Sequence, residues 1–253
     1  MLAATRHRHI LDSIDATGSV RTVDLAQQFD VTDETIRRDL EKLERENLVQ
    51  RTHGGAIKVE TRVRDRSFEE RNIQRIGEKK RIGREAARRV NSGDRIFLDA
   101  SSTALQMVPY LPDAGIVVMT NSSLVAAALQ PRQEIELILT GGAFDRQTQS
   151  YTGPAAIATL RRFRIDKLFF SGNGIDDVRG ISEINEAQAY IKEMMLPRAG
   201  AAIFLADPSK LGVTATYFFT RMEEIDLMIT CKEADHPILP VMTEAGVEIH
   251  FAD

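Results

Sequence analysis

From residue 95 to residue 230, short apolar runs alternate with helix-like stretches, and that alternation leaves few folds open to the chain. The runs 95–99, 116–120, 135–139, 167–170, 201–206 and 226–230 have the length and composition of strands. Between several of them lie 103–110, 122–130, 154–163 and 185–196, which read as helices; a further helix over 78–90 precedes the first strand. A strand that is apolar on both sides has to be covered on both sides, so a parallel sheet with helices on each face is expected. The larger part of the chain is therefore read as an α/β domain of Rossmann-like architecture.

The length, 253 residues, leaves room for a second, smaller domain. Ile10, Leu11 and Ile14 recur at helical spacing and stop at Gly18; Val23, Leu25, Ala26 and Phe29 form a second short stripe. A third helix is expected from Thr32, a good N-cap, with Asp33 and Glu34 placed favourably in its first turn. Its buried side is Ile36, Leu40 and Leu43, which leaves Thr35, Arg37, Arg38 and Lys42 off the apolar stripe. Residues 48–57 then place two β-prone pieces around Gly54-Gly55, a hairpin or wing. Two helices joined by a tight turn and followed by a wing make a small α+β winged helix-turn-helix, which sets its second helix into a DNA major groove. In that arrangement Thr32, Thr35 and Arg37 face base edges. Arg38, Lys42 and Arg51 face phosphates, and His53, Gly54 and Gly55 face the backbone or the minor groove.

Charge does not by itself favour nucleic acid. The whole chain carries −4, and residues 1–58 hold nine Lys and Arg against ten Asp and Glu. Surface pairing of Arg37 and Arg38 with Asp33, Glu34 or Glu41 is the alternative reading of that helix. Residues 59–75 are polar without a hydrophobic period and are expected to be a linker, separating domains at 1–58 and 76–253. The Arg- and Lys-rich stretch 62–95 is read as a solvated helix, with extra phosphate contacts as the alternative.

In open α/β sheets ligands bind beyond the carboxyl ends of the strands. Asp99-Ala100-Ser101-Ser102-Thr103 follows a strand and opens a helix, where Ser102 or Thr103 either caps that helix or holds a phosphate. Thr120-Asn121, Thr140-Gly141-Gly142, Gly172-Asn173-Gly174 and Asp207-Pro208-Ser209-Lys210 follow later strands. Lys192 and Lys210 are the cations placed to meet a phosphate, with an ordinary surface role as the alternative for Lys192.

The run Thr32-Asp33-Glu34-Thr35-Ile36-Arg37-Arg38-Asp39-Leu40-Glu41-Lys42-Leu43-Glu44, followed by Leu48-Val49-Gln50-Arg51-Thr52-His53-Gly54-Gly55-Ala56, resembles the signature of the DeoR family of bacterial regulators. Arg6, Ile10 and Ile14 sit at the family's spacing, and the likeness continues at Phe68, Arg71, Glu78-Lys79 and Ile82-Gly83 and through the second domain. The resemblance implies a recognition helix and wing for a double-stranded DNA operator. It also implies a sensor domain whose sheet is shared with ribose-5-phosphate isomerase, glucosamine-6-phosphate deaminase and coenzyme A transferases. The effector residues it implies are Asp99, Ser101, Ser102, Thr103, Thr120, Asn121, Gly141, Gly142, Glu186, Lys192, Asp207 and Lys210, holding a phosphorylated sugar or polyol. Ser101 stands where many members carry Gly, and Ser171-Gly172-Asn173-Gly174 replaces a more usual small-residue turn; both bear on effector choice. The function implied is repression of a carbohydrate-metabolism operon by a homo-oligomer, dimer or tetramer, in the bacterial cytoplasm and on the nucleoid when bound to its operator.

Other classes find little support. No apolar run approaches the roughly 18 residues of a membrane span, and residues 1–8 are basic without an apolar core, so neither a membrane nor a signal peptide is expected. The single Cys231 has no partner for an internal disulfide, which suits a reducing compartment. No spacing suggests a metal site, and no cofactor is expected. Asp99, Glu186, Lys192 and Asp207 supply groups that a sugar-phosphate isomerase or deaminase would need. An enzyme with an accessory N-terminal domain is therefore the alternative. His7, His9 and His53 lie in the DNA segment and His236 and His250 near the C-terminus, away from the strand-end loops, so binding without turnover is the expectation.

Overall fold

The structure, a computed structural model, describes residues 3–45, 48–58 and 66–253. The chain divides into two compact units, residues 1–61 and 62–253.

The first unit contains α1 (Ala3–Thr17), β1 (Ser19–Arg21), α2 (Thr22–Phe29), α3 (Asp33–Arg45), β2 (Val49–Thr52) and β3 (Gly55–Lys58). Its core is the stripe read from the sequence: Ile10, Ile14, Leu25, Ala26, Phe29, Ile36, Leu40 and Leu43 are all buried, joined by Val49 and Ala56 from the wing. Leu11 is half-buried against this core, and Val23 is 56% exposed on the outer side of α2. Asp30 adopts a left-handed conformation at φ 52° and closes α2, so the chain turns sharply into α3; Asp tolerates that region better than most residues. Thr32 accepts a hydrogen bond from the Thr35 amide at 3.2 Å, the cap expected for α3. The wing is a three-stranded antiparallel sheet in the order β1-β3-β2, where the sequence pattern suggested two strands. Gly55 is required there, because a Cβ would fall on the Val20 carbonyl of β1.

One polar contact fastens this unit. Asp39 lies on the inner side of α3, and its carboxylate accepts from Arg6 Nε at 2.5 Å and sits 2.8 Å from His7 Nε2, both on α1. The Arg6 and Asp39 side chains are each 8% exposed. Burial would raise the Asp39 pKa, but the Arg6 and His7 hydrogen bonds outweigh it and hold the carboxyl below its usual range.

The second unit opens with α4 (Phe68–Ile73) and α5 (Ile76–Ala87). Residues 66–75 were expected in a linker. Instead Ser67 and Glu70 form a capping box for α4, and Phe68 is 1% exposed in the unit's interior, so local capping and one buried aromatic override the polar composition. The rest of the expected linker, 59–65, lies outside the described residues. There follow β4 (Arg95–Leu98), α6 (Ser102–Leu105), β5 (Val117–Thr120), α7 (Ser123–Leu129) and β6 (Glu136–Leu139). A hairpin, β7 (Ala143–Asp145) and β8 (Ser150–Thr152), leads into α8 (Gly153–Leu160) and β9 (Ile165–Phe170). Next come β10 (Gly174–Asp176), β11 (Gly180–Glu183), α9 (Glu186–Met195), β12 (Ala199–Leu205) and β13 (Tyr217–Thr220). The chain closes with β14 (Leu227–Cys231), α10 (Ile238–Glu244) and β15 (Glu248–Ala252).

The main sheet has seven parallel strands in the order β15-β14-β12-β9-β4-β5-β6. Each inner strand feeds two cores by simple alternation. Phe97, Leu168, Phe170, Ala202 and Phe204 point to the side of α8, α9 and α10. Ile96, Leu98, Phe169, Ile203 and Leu205 point to the side of α5, α6 and α7. This is why the strands read as continuous apolar runs. The expected Rossmann-like α/β fold is what the chain forms. The hairpin β7–β8, the small antiparallel sheet β10-β11-β13 and the edge strand β15 were absent from the sequence reading, since they are short, half-polar or antiparallel.

The Arg6–Asp39 contact yields a direct test. Replacing Asp39 by Ala leaves the Arg6 charge buried without its carboxylate and is expected to cost about 3 kcal/mol. The measurement is amide exchange in α1 and α3 of the full chain. The stabilisation from Asp39 is present above the ordinary carboxylate pKa and is lost as the pH falls through its lowered value. Exchange rates equal to those of the unaltered chain would contradict this role.

Candidate functional site

In the first unit α3 turns a polar face to solvent. Arg37, Arg38 and Lys42 are exposed and Thr35 is half-buried. The Thr32 and Thr35 hydroxyls lie 2.9 Å apart, so both sit at the start of the helix, where a recognition helix meets base edges. Arg38 pairs with Glu34 at 3.2 Å across one turn, a solvent-exposed contact of small worth. Among the described residues none pairs with Arg37 or Lys42. Arg51 is turned inward: its guanidinium donates to Glu41 at 3.0 Å and its amide to Glu44 at 3.1 Å, tying β2 to α3. That leaves it less available to a phosphate than the sequence suggested. His53 and Gly54 form the exposed tip of the wing.

In the second unit a cavity of about 70 Å³ opens beyond the carboxyl ends of β4, β9 and β12. Its base is organised by Asp99, which is fully buried. One carboxylate oxygen accepts from the Ser101 amide at 3.1 Å, and the other accepts from the Ser171 amide at 3.0 Å and lies 3.5 Å from Lys192 Nζ. Asp99 thus binds together the loops that follow β4 and β9, at the point where the sheet order reverses. Lys192, 3% exposed, also donates to Glu183, the last residue of β11. Burial works to raise the Glu183 pKa, but the Lys192 charge and hydrogen bond, with Arg71 nearby, hold it below its usual range. Gly174 lets the chain leave the β9 loop, since a Cβ there would meet the Val213 carbonyl.

The walls are strongly basic. Arg66, Arg71, Arg75, Lys79, Lys192 and Lys210 line the cavity against two carboxylates, Glu183 and Asp207. Lys79 is 4% exposed; its ammonium donates to the Arg71 carbonyl and, at 3.0 Å, to Ser102 Oγ. Burial lowers the Lys79 pKa to about 8, against the pull of Asp207. Burial lowers that of Lys210 as well. Asp207 caps the turn that carries Lys210, accepting from the Ser209 amide at 3.0 Å. A recess beside the cavity, lined by Thr148, Asn185 and Gln188, shares Arg71, Ser101, Asn173, Glu183 and Lys192 with it.

Of the effector residues expected from sequence, Ser101, Ser102, Thr103, Lys192, Asp207 and Lys210 line the cavity, with Asp99 behind them. The cap of α6 is Ser101, which accepts from the Ala104 amide at 3.0 Å, so Ser102 and Thr103 are not the cap. Thr120, Asn121, Gly141 and Gly142 lie outside the cavity. They end β5 and β6, on the far side of β4 from β9 and β12. Thr120 donates to Leu98 O at 2.7 Å, and Asn121 donates to Tyr151 O and to Gln188 Oε1 in the wall of the recess. Glu186 is exposed in the first turn of α9 and does not line the cavity, whereas Glu183, at the end of β11, does. Sequence reasoning missed Arg71, Arg75 and Lys79, though their four-residue spacing was visible in the stretch read as a solvated helix.

Two family matches cover these parts. Residues 6–62 match the DeoR-like helix-turn-helix domain, and residues 74–232 match the DeoR C terminal sensor domain. The chain is similar to the uncharacterized HTH-type transcriptional regulator YulB of Bacillus subtilis, at 38% identity over 98% of this chain and 96% of that one. It is similar to the HTH-type transcriptional repressor GlcR of the same organism, at 34% identity over 95% of this chain and 93% of the relative. It is also similar to the L-fucose operon activator of Escherichia coli, at 33% identity over 90% of this chain and 95% of that protein. These relatives are named as regulators, which sets aside the isomerase or deaminase alternative. The exposed recognition helix and wing, the strand-end cavity and these likenesses agree: the chain belongs to the DeoR family of helix-turn-helix transcriptional regulators.

Proposed function

We propose that this regulator represses a carbohydrate-metabolism operon and that a phosphorylated sugar or polyol in the second unit's cavity modulates its hold on DNA. The single observation that carries the reading is the composition of the cavity wall, six cationic side chains against two carboxylates. Such a wall attracts an anion of more than one charge, and hydroxyl and amide groups around it suit a ligand that also carries hydroxyls. The space, about 70 Å³, is several times the roughly 10–15 Å³ that one water needs on the same measure, which suits a phosphate group with its sugar reaching toward the mouth. Repression is favoured by the likeness to a relative named as a repressor. Activation, as in the name of the L-fucose relative, is the second reading. The chain acts as a dimer or tetramer, because paired recognition helices about one helical turn apart match a repeated operator.

On DNA, Thr32, Thr35 and Arg37 read base edges, and Arg38, Lys42 and the wing tip at His53 and Gly54 set register on phosphates, with Arg51 supporting the wing. Footprinting upstream of the protein's own gene is expected to show a protected, repeated site. Absence of any protected site, with or without sugar phosphates, would contradict the reading. Arg37→Ala is expected to weaken specific binding by about 1–3 kcal/mol while leaving non-specific binding and the fold intact. An unchanged specificity ratio removes Arg37 from base readout.

Anion affinity should depend on pH. Lys79 loses its proton as the pH passes about 8, and each cation lost weakens the pull on a phosphate. Calorimetric titration with sulfate, whose double charge does not change over this range, is expected at constant ionic strength to show binding that weakens from pH 7 to pH 9. A flat profile would mean that Lys79 does not face the anion. Lys210→Ala is expected to retain DNA binding and to blunt the response to the effector; a normal response would move the phosphate away from Lys210.

A further inference from the structure

The stretch 66–75 brings Arg66, Arg71 and Arg75 to the cavity wall. It is also the first described chain after the division between the two units. It is attached to the second unit at both ends. At the start the Ser67–Glu70 capping box closes α4, Phe68 is buried, and the Phe68 amide donates to Gln147 O at 2.9 Å. Further on Asn72 accepts from Gln106 Nε2 at 3.3 Å and Arg75 Nε lies 3.7 Å from Asp207, but the helix itself is interrupted. Gln74 is extended and Arg75 takes a left-handed φ of 50°, so α4 is a separate six-residue piece and does not continue into α5.

Over the cavity itself α4 is held by its backbone. The Arg71 carbonyl accepts from Lys79 Nζ and, at 3.4 Å, from Ser102 Oγ. The Arg71 guanidinium has no such hold. It stacks 5.5 Å from the Phe68 ring centroid, and among the described residues its buried Nε has no hydrogen-bond partner. Buried donors are rarely left unfilled, and a guanidinium fork is shaped for an oxyanion. Here the unfilled donor belongs to a residue lining a cavity that five other cations also line.

We propose that Arg71 ligates the anion in this cavity, and that α4 is a strap which the bound anion ties down. Occupancy is then felt first by the stretch of chain leading to the DNA-reading unit. This rests on the cavity being the effector site. With the cavity free of an anion, the cations oppose one another: Arg71 is among the charges that lower the pKa of both Lys79 and Lys210. An anion bridging Arg71, Lys79 and Lys210 relieves that repulsion with α4 over the cavity, as it lies here, so a bound anion adds to the hold on α4 in this position.

Hydrogen exchange of the full chain, with inorganic phosphate titrated against chloride at constant ionic strength, tests the proposal on the unaltered chain, Arg71→Gln and Arg71→Lys. At ten times the dissociation constant, phosphate is expected to slow exchange by about tenfold in both 66–75 and 99–103 of the unaltered chain. In Arg71→Gln the protection of 99–103 persists, weakened, and that of 66–75 is lost; Arg71→Lys restores part of it. Should Arg71→Gln lose the fold, shown by fast exchange throughout α5, the comparison with Arg71→Lys carries the test, and protection of 66–75 equal to that of the unaltered chain overturns the proposal. Protection of 99–103 without 66–75 in the unaltered chain, or equal protection of 66–75 in Arg71→Gln, overturns the strap while leaving the effector site standing. Protection of neither segment by phosphate overturns both.

Discussion

The buried carboxylate of Asp99 is the contact on which the candidate effector site depends. It accepts from two loop amides, Ser101 and Ser171, and faces Lys192 at 3.5 Å. A fully buried carboxylate without such partners would be severely penalised, and with them it fixes where two loops can go. Those loops follow β4 and β9, neighbours in the sheet but distant in sequence. The gap between them is the crevice that a doubly wound sheet creates at its switch point. The cations of the cavity are arranged around this fixed base: Lys192 beside it, Lys210 on the turn after β12, Lys79 on α5, and Arg71 and Arg75 on and just after α4.

The two units solve different problems with similar means. In the first, the Asp39 carboxylate receives Arg6 and His7 and so fastens α1 to α3, leaving the outer face of α3 to carry Thr35, Arg37, Arg38 and Lys42. The burial of Asp39 explains why an acid sits among the bases of a DNA-reading helix: it works on the inner side. In the second unit the carboxylates Glu183 and Asp207 are likewise occupied with positioning, which leaves an excess of positive charge for a ligand.

The sheet was legible because its strands serve two cores: Ile96, Phe97 and Leu98 are each fully buried although they point to alternate faces, and only a strand covered on both sides reads that way. The helix-turn-helix was legible from the Ile36, Leu40 and Leu43 stripe and the Thr32 cap. Strand order was not legible, and the difference between the expected and the observed cavity lining follows from it. Polar turns after β5 and β6 looked equivalent to those after β4, β9 and β12 until the order placed them on the other side of β4. Glu186 came from the family resemblance, whereas Glu183, which lines the cavity, ends β11, a short antiparallel strand with no periodic signature in the sequence. Arg71 and Lys79 were read as solvated because charge runs usually are. What the run concealed was Phe68 and Ile82, two buried anchors that turn the charged side of α4 and α5 toward the cavity.

The central claim is that the second unit recognises a phosphate ester in the crevice between the β4 and β9 loops. The most direct measurement compares the affinity of pentose and hexose phosphates with that of their parent sugars by calorimetry on the full chain. At least one phosphorylated member is expected to bind, with its parent sugar weaker by well over tenfold. Equal binding of parent sugar and ester, or binding by neither class at millimolar concentration, would contradict it.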